Sequence, residues 1–362
     1  MPRPPNRPMK KLQAPTSATP EQLRARQRGA LLGLAVGEAM GVRNDGRNIP
    51  CVDFPALNDG PINEPLGGGQ HDLRRGQVGF ASEMAQVLSQ SLRTQRHYDV
   101  YDVTRGYARW LPTAVGAPEA VKASLTEFAE GRSPEHTGRR VWVSKQQRLR
   151  DNGSLARTAP IGVFFHSQRE VRVAASLDDS AITHFDPLCQ LACVTFNGVL
   201  GAAISAPGAH IAPDALIKVA ETELSLAAAT LGRKESEHVS QTKDSADWLR
   251  EDLLLAQEDD PELYGPELHL FRPYPSEVRC TWRLALWELF HAPSLEAALV
   301  DVASRGGNSA VNAAVTGALM GAVFGEGALP QDWVERVLEA PGNAAWHPRN
   351  LVTLAGLGAG DA

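Results

Sequence analysis

Two segments near opposite ends of the chain carry a small residue at every fourth position. The first reads RGALLGLAVGEAMG and the second reads NSAVNAAVTGALMGAVFG, so the small residues fall on one side of each predicted helix. A glycine inside a helix costs about 1 kcal/mol relative to alanine, so such rows persist where another backbone or a ligand comes unusually close. The sequence leaves tight helix packing and a ligand site both open. The positions concerned are Gly29, Gly33, Gly37, Gly41, Ala313, Gly317, Gly321 and Gly325.

The composition is that of an ordinary soluble globular protein. Of the 362 residues, 43% are apolar and 22% are charged. The formal net charge of -6 argues against a general nucleic-acid binder, because such proteins need excess Lys and Arg to neutralise phosphates. No segment approaches 18 uninterrupted apolar residues, so we expect no membrane partner. The four cysteines show no metal-finger spacing, and we expect a reducing, cytoplasmic location.

The chain divides into a tail and one large helical region. Residues 1–21 include four prolines among the first eight residues and no apolar stretch, which predicts a disordered basic tail. Helical periodicity then recurs up to about residue 350, whereas strand alternation is scarce, so we predict a single all-α domain at 22–350 and a short tail at 351–362. We predict helices at 22–40, 80–92, 99–111, 118–130, 160–175, 187–205, 213–231, 245–257, 278–291, 294–304 and 310–324.

Several short motifs occur in an order that is similar to a known family. They include DNGSLAR, THFDP and a long segment from Val278 to Gly325. With the first glycine-rich segment, they make the chain resemble the ADP-ribosylglycohydrolase family, including the dinitrogenase-reductase-activating hydrolases, from about Arg28 to Trp333. The resemblance implies a compact orthogonal bundle of helices around a cleft, in agreement with the helical pattern.

The resemblance also implies a metal site, but this chain lacks its ligands. Active family members hold two divalent cations, Mg or Mn, on aspartates at two helix starts. Those positions are occupied here by Phe80, Ala81, Asn308 and Ala310. The remaining hydroxyl and amide oxygens cannot balance the charge of two dications. We therefore predict a degenerate dinuclear site and no metal cofactor.

Two acidic residues survive near the implied site and are our candidate catalytic residues. Glu38 stands where the family usually has aspartate, and Asp45 stands where many members carry a carboxylate proposed to help catalysis. Each also has a simpler interpretation: an ion pair or helix-end hydrogen bond for Glu38, and a turn for Asp45, which precedes a glycine. His71 and Asp72 could rebuild a single metal site with either acid, although His ligands favour a different metal.

The residues that the resemblance implies bind ADP-ribose match the family pattern better than the metal-ligand positions do. By resemblance, the loop DNGSLAR cradles the ribose and phosphates, and THFDP is a recurrent family motif. Asp186 is equally explained as the cap of a helix that begins at Pro187. Asp151 stands where glycine is common, and its carboxylate would repel a bound pyrophosphate. The predicted ligand-binding residues are Asn152, Gly153, Ser154, Arg157, His184, Asp186, Asn308 and Ser309.

Three functions from different classes follow. The favoured hypothesis is a pseudoenzyme that binds ADP-ribose, an ADP-ribosylated protein or an ADP-ribosyltransferase. The alternative is an active, metal-independent enzyme that acts on an N-glycosidic or related bond, with Asp45 or Glu38 as general base in an apolar environment. The third is a structural or storage protein that reuses the helical bundle.

Overall fold

The computed structural model describes residues 17–49, 62–258 and 276–357. These residues form sixteen α-helices and contain no β-strand. This confirms the predicted all-α class. Residues 1–16 of the predicted disordered tail lie outside the described residues. The helices are α1 (Pro20–Gly41), α2 (Phe80–Gln95), α3 (Val100–Trp110), α4 (Glu119–Ala129), α5 (Pro134–Ser144), α6 (Gly153–Arg157), α7 (Ala159–Phe164), α8 (Arg169–Thr183), α9 (Pro187–Ser205), α10 (Pro213–Lys234), α11 (Val239–Leu255), α12 (Val278–His291), α13 (Leu295–Ser304), α14 (Ser309–Phe324), α15 (Gln331–Glu339) and α16 (Pro348–Leu351).

The two rows of small residues pack directly against each other. Gly33 faces Gly317, and a Cβ atom added at Gly33 would lie only 2.0 Å from the carbonyl oxygen of Gly317. Gly29 meets Gly321 at one end of the pair and Gly41 meets Ser309 at the other, so α1 and α14 run antiparallel. Tight helix packing is therefore the correct reading of the rows. The pairing places the end of α1 beside the start of α14.

Helix α9 forms the centre of the remaining core. Its apolar residues contact α7, α8, α10 and α11. It is long and apolar enough to cross a bilayer, but 89% of its most apolar window is buried inside the protein. Among the described helices, it is the one that meets those criteria of length and composition. Its hydrophobicity is thus used for packing against neighbouring helices.

The predicted helix at 160–175 is wrong, because the chain breaks there into α7 and α8. Arg172 explains the break: its guanidinium donates to the carbonyl oxygens of Phe165 and His166 at 3.1 and 2.9 Å, which satisfies groups freed at the end of α7. Helices α5, α6, α15 and α16 were not predicted. Folded structure also continues past the expected boundary at residue 350, since Leu351 and Leu354 are fully buried.

Candidate functional site

A cleft of about 890 Å³ opens where the end of α1 meets the starts of α2 and α14. Its volume is in the range of pockets that hold a small ligand. The loop before α6 and the residues before α12 form the opposite wall. The lining includes Glu38, Asp45, Phe80, Asp151, Glu277 and Asn308.

Glu38 caps the start of α2. Its two carboxylate oxygens accept hydrogen bonds from the backbone amides of Ala81 and Ser82, at 3.0 and 2.9 Å. The side chain is only 1% exposed. Burial raises the pKa of Glu38, although the hydrogen bonds from Ser82 and Ala81 act in the opposite direction. The structure therefore gives Glu38 the helix-end hydrogen bond that was one of its two predicted roles.

Asp45 makes a corresponding contact at the start of α14. One of its oxygens accepts from the backbone amide of Ala310 at 3.3 Å, and the other accepts from the side-chain amide of Gln70 at 2.5 Å. Hydrogen bonds between residues 46–47 and Gly307 hold this loop against the helix start. Burial raises the pKa of Asp45, opposed by Gln70 and Ala310. Gln70 was missed because a loop contact across 25 residues leaves no periodic signal in the sequence.

The residues present do not fit a pair of hard divalent cations. Phe80, Ala81 and Ala310 offer no side-chain ligand. The oxygens of Glu38 and Asp45 already accept hydrogen bonds from amide groups. Within the described ranges, no three His, Cys, Asp or Glu side chains lie close enough together to hold a metal ion. In particular, His71 and Asp72 do not complete such a cluster with either acid.

Asn152 and Asn308 come together in the cleft lining. The side-chain amide of Asn308 donates to the side-chain oxygen of Asn152 at 3.2 Å, and Asn152 donates in turn to Thr281 at 2.7 Å. The backbone of Asn152 also donates to the carbonyl of Ser276 at 2.8 Å. These contacts join the DNGSLAR loop to α12 and α14, so two of the predicted ligand-binding residues meet in the cleft lining.

Asp151 holds a negative charge in the same wall. Its Oδ1 atom lies 2.6 Å from Nε2 of His184, and the Nδ1 atom of that ring lies 2.7 Å from the hydroxyl of Thr183. Burial by itself would raise the pKa of Asp151, but the contact with His184 outweighs it, and the pKa is lowered. The carboxylate at this edge of the cleft is therefore ionised at neutral pH.

The other six predicted ligand-binding residues lie behind the cleft lining. Arg157 is fully buried and pairs with Asp179 at 3.0 Å. Asp186 caps α9 by accepting from the amide of Leu188 at 3.0 Å, as the capping alternative predicted. Residues that hold the wall in place without lining the cleft are Gly153, Ser154, Arg157, His184, Asp186 and Ser309.

The cleft lining carries five acidic side chains and three basic ones. Arg150 is the arginine held in the wall; it pairs with Asp186 at 3.4 Å and lies over the ring of Trp248 at 4.8 Å. Glu119 and Glu277 were missed as site residues because they stand at the starts of helices that are distant in sequence from the other site residues. The lining includes the acids Glu38, Asp45, Glu119, Asp151 and Glu277, and the basic residues His71, Arg148 and Arg150.

Comparison with known proteins agrees with this architecture. A family model described as ADP-ribosylglycohydrolase matches residues 19–357. The chain is 23% identical over 324 residues to the ADP-ribosylarginine hydrolase Tri1 of Pseudomonas putida (strain GB-1), covering 88% of this chain and 76% of that protein. It is 23% identical over 322 residues to the ADP-ribosyl-[dinitrogen reductase] glycohydrolase of Rhodospirillum rubrum, covering 85% and 89%. A solved structure, described as an ADP-ribosylglycohydrolase-related protein complex, shares the fold with a TM-score of 0.67 and 23% identity, covering 93% of this chain and 99% of that one.

Proposed function

Because the chain belongs to the ADP-ribosylglycohydrolase family, we propose that it is a pseudoenzyme that uses the family's cleft to bind a partner without metal-dependent hydrolysis. One observation carries this proposal. The starts of α2 and α14, where the resemblance puts the metal ligands, carry Phe80, Ala81, Asn308 and Ala310 in place of carboxylates.

The electrostatics of the two helix starts support the proposal. The first amides of a helix carry a partial positive charge that favours a nearby anion. Here the carboxyl group of Glu38 accepts from the first amides of α2, and that of Asp45 accepts from an early amide of α14. Each helix start is therefore already contacted by a carboxyl group of the chain itself.

The candidate partners come from what the relatives act on. Their names specify ADP-ribosylated arginine and ADP-ribosylated dinitrogen reductase. The corresponding ligands for a non-hydrolysing relative are ADP-ribose, an ADP-ribosylated protein or the ADP-ribosyltransferase that produces it. The cleft is large enough for a nucleotide or for an inserted side chain.

The test combines a metal titration with a hydrolysis assay. We expect no calorimetric signal for Mg²⁺ or Mn²⁺ binding at the cleft, and no metal-dependent release of ADP-ribose from a protein ADP-ribosylated on arginine. The Pseudomonas putida relative, whose name specifies hydrolysis of ADP-ribosylarginine, is the positive control in the same buffers. Release of ADP-ribose that requires either metal would overturn the proposal.

A second candidate function rests on Asp45. This carboxylate lines the cleft, and burial raises its pKa, as a general base for metal-independent cleavage of an N-glycosidic bond requires. If that function is correct, Asp45→Asn should lower any turnover measured in EDTA by at least about 100-fold, since general-base catalysis contributes about 10²–10⁴-fold. Unchanged turnover in Asp45→Asn, with an unchanged unfolding midpoint, would eliminate this candidate.

A further inference from the structure

We propose that Asp151 sets the charge preference of the cleft, so that the site accepts a cationic group from its partner and disfavours a pyrophosphate. The inference rests on the proposed function and narrows it. Among the partner classes named above, it favours a protein that inserts a guanidinium or ammonium group over free ADP-ribose.

The position of Asp151 is fixed by the surrounding structure. Its Oδ1 atom contacts His184, whose ring is completely buried and held on its other side by Thr183. The backbone on both sides is tied down, because the carbonyl of Arg150 accepts from Val278 at 2.9 Å and Asp151 forms an isolated bridge with Glu277. Since the side chain of Asp151 retains 16% exposure and lines the cleft, its carboxylate faces any occupant, with the His184 ring behind it.

Asp151 also removes a donor that an anion would need. The backbone amide of Gly153 lies 3.3 Å from the carboxylate Oδ1 of Asp151 and donates to it. Backbone amides in such loops are the groups that bind phosphates without charged side chains. In this chain the amide of Gly153 already donates to the carboxylate of Asp151, so a phosphate would have to displace that carboxylate.

The surrounding charges reinforce the preference. Glu277, on the adjoining segment of the wall, adds a second carboxylate beside Asp151. Arg150 is held by Asp186 and Trp248, and Arg148 is exposed to solvent, where salt screens its charge. Like charges at close range oppose binding, whereas a cation in the same place is attracted.

The experiment compares two probes of opposite charge on the full chain. We expect agmatine, which carries a guanidinium, to bind at least about tenfold more tightly than ADP-ribose in calorimetric titrations at low ionic strength. In Asp151→Asn the agmatine affinity should fall about tenfold and the ADP-ribose affinity should rise about tenfold. Asp178→Asn, which removes one exposed charge outside the cleft, is the matched control and should change neither affinity.

A measurement on the unmodified protein covers the case in which Asp151→Asn does not fold. Raising the NaCl concentration should weaken agmatine binding and strengthen ADP-ribose binding, because salt screens attraction and repulsion alike. Equal ADP-ribose affinity in the unmodified protein and in Asp151→Asn, or binding of neither probe by either protein, overturns the inference. The proposed function fails separately, if ADP-ribose is released from an ADP-ribosylated protein in a metal-dependent way.

Discussion

Replacing Gly33 by alanine is expected to lower the free energy of unfolding by more than about 3 kcal/mol, at the upper end of overpacking effects. The added Cβ would lie 2.0 Å from the carbonyl oxygen of Gly317 and 2.7 Å from its carbonyl carbon. These are backbone atoms of a buried helix, so they cannot rotate away as a side chain would. The two helices must separate, and that cost exceeds the roughly 1 kcal/mol that alanine gains in helix propensity.

Urea denaturation followed by circular dichroism measures the change. Gly327→Ala is the matched control, because Gly327 is exposed and nothing lies within 4 Å of the position of its added Cβ. We expect that control to stay within about 0.5 kcal/mol of the unmodified protein. If Gly33→Ala were as stable as Gly327→Ala, the backbone contact between α1 and α14 would be incorrect.

Asp179→Asn is expected to cost about 3–5 kcal/mol, because it leaves the buried guanidinium of Arg157 without its counter-charge. Both side chains are 0% exposed, and the carboxylate accepts from Nε of Arg157 at 3.0 Å. The same carboxylate accepts from the hydroxyl of Tyr107 at 2.9 Å. Asparagine keeps the shape of the side chain but removes the charge. The loss in the free energy of unfolding therefore measures the cost of burying the Arg157 guanidinium without a counter-charge.

The neighbouring Asp178 provides the control for this measurement. It pairs with Lys234 at 2.6 Å, but the two side chains are 41% and 47% exposed. Exposed pairs of this kind contribute about 0–1 kcal/mol, so Asp178→Asn should have a small effect in the same urea titration. Equal losses of unfolding free energy in Asp179→Asn and Asp178→Asn would show that other groups in the core stabilise the charge of Arg157.

The sequence predicted the structure best where a pattern of residues is compatible with few arrangements of the chain. The small residues at every fourth position predicted a close approach, and the facing positions Gly33 and Gly317 realise it between two backbones. Periodicity was less informative around residue 165, since apolar residues stand on both sides of the short polar break HSQ between α7 and α8 and suggest one continuous helix. The side chain of Arg172, which terminates α7, contacts carbonyl groups that no helical pattern can identify.

The site was predictable in its residue types but less so in its geometry. Loss of the implied metal ligands was visible in the sequence, and so were the two remaining acids. That Glu38 and Asp45 cap the starts of α2 and α14 depends on contacts between segments 43 and 265 residues apart. The motif that contains Arg157 matches the family pattern, but a short motif does not specify which of its side chains face the cleft.

The pairing of α1 with α14 has a consequence for the synthesis of the protein. The two helices lie almost 300 residues apart in sequence, as Gly29 and Gly321 illustrate. At about 5–20 residues per second, the first helix is translated roughly 15–60 s before its partner. During that interval its glycine-rich, apolar face has no native surface to cover it on the ribosome. Productive folding of this chain therefore depends on keeping its first helix from aggregating until the last quarter of the protein has emerged.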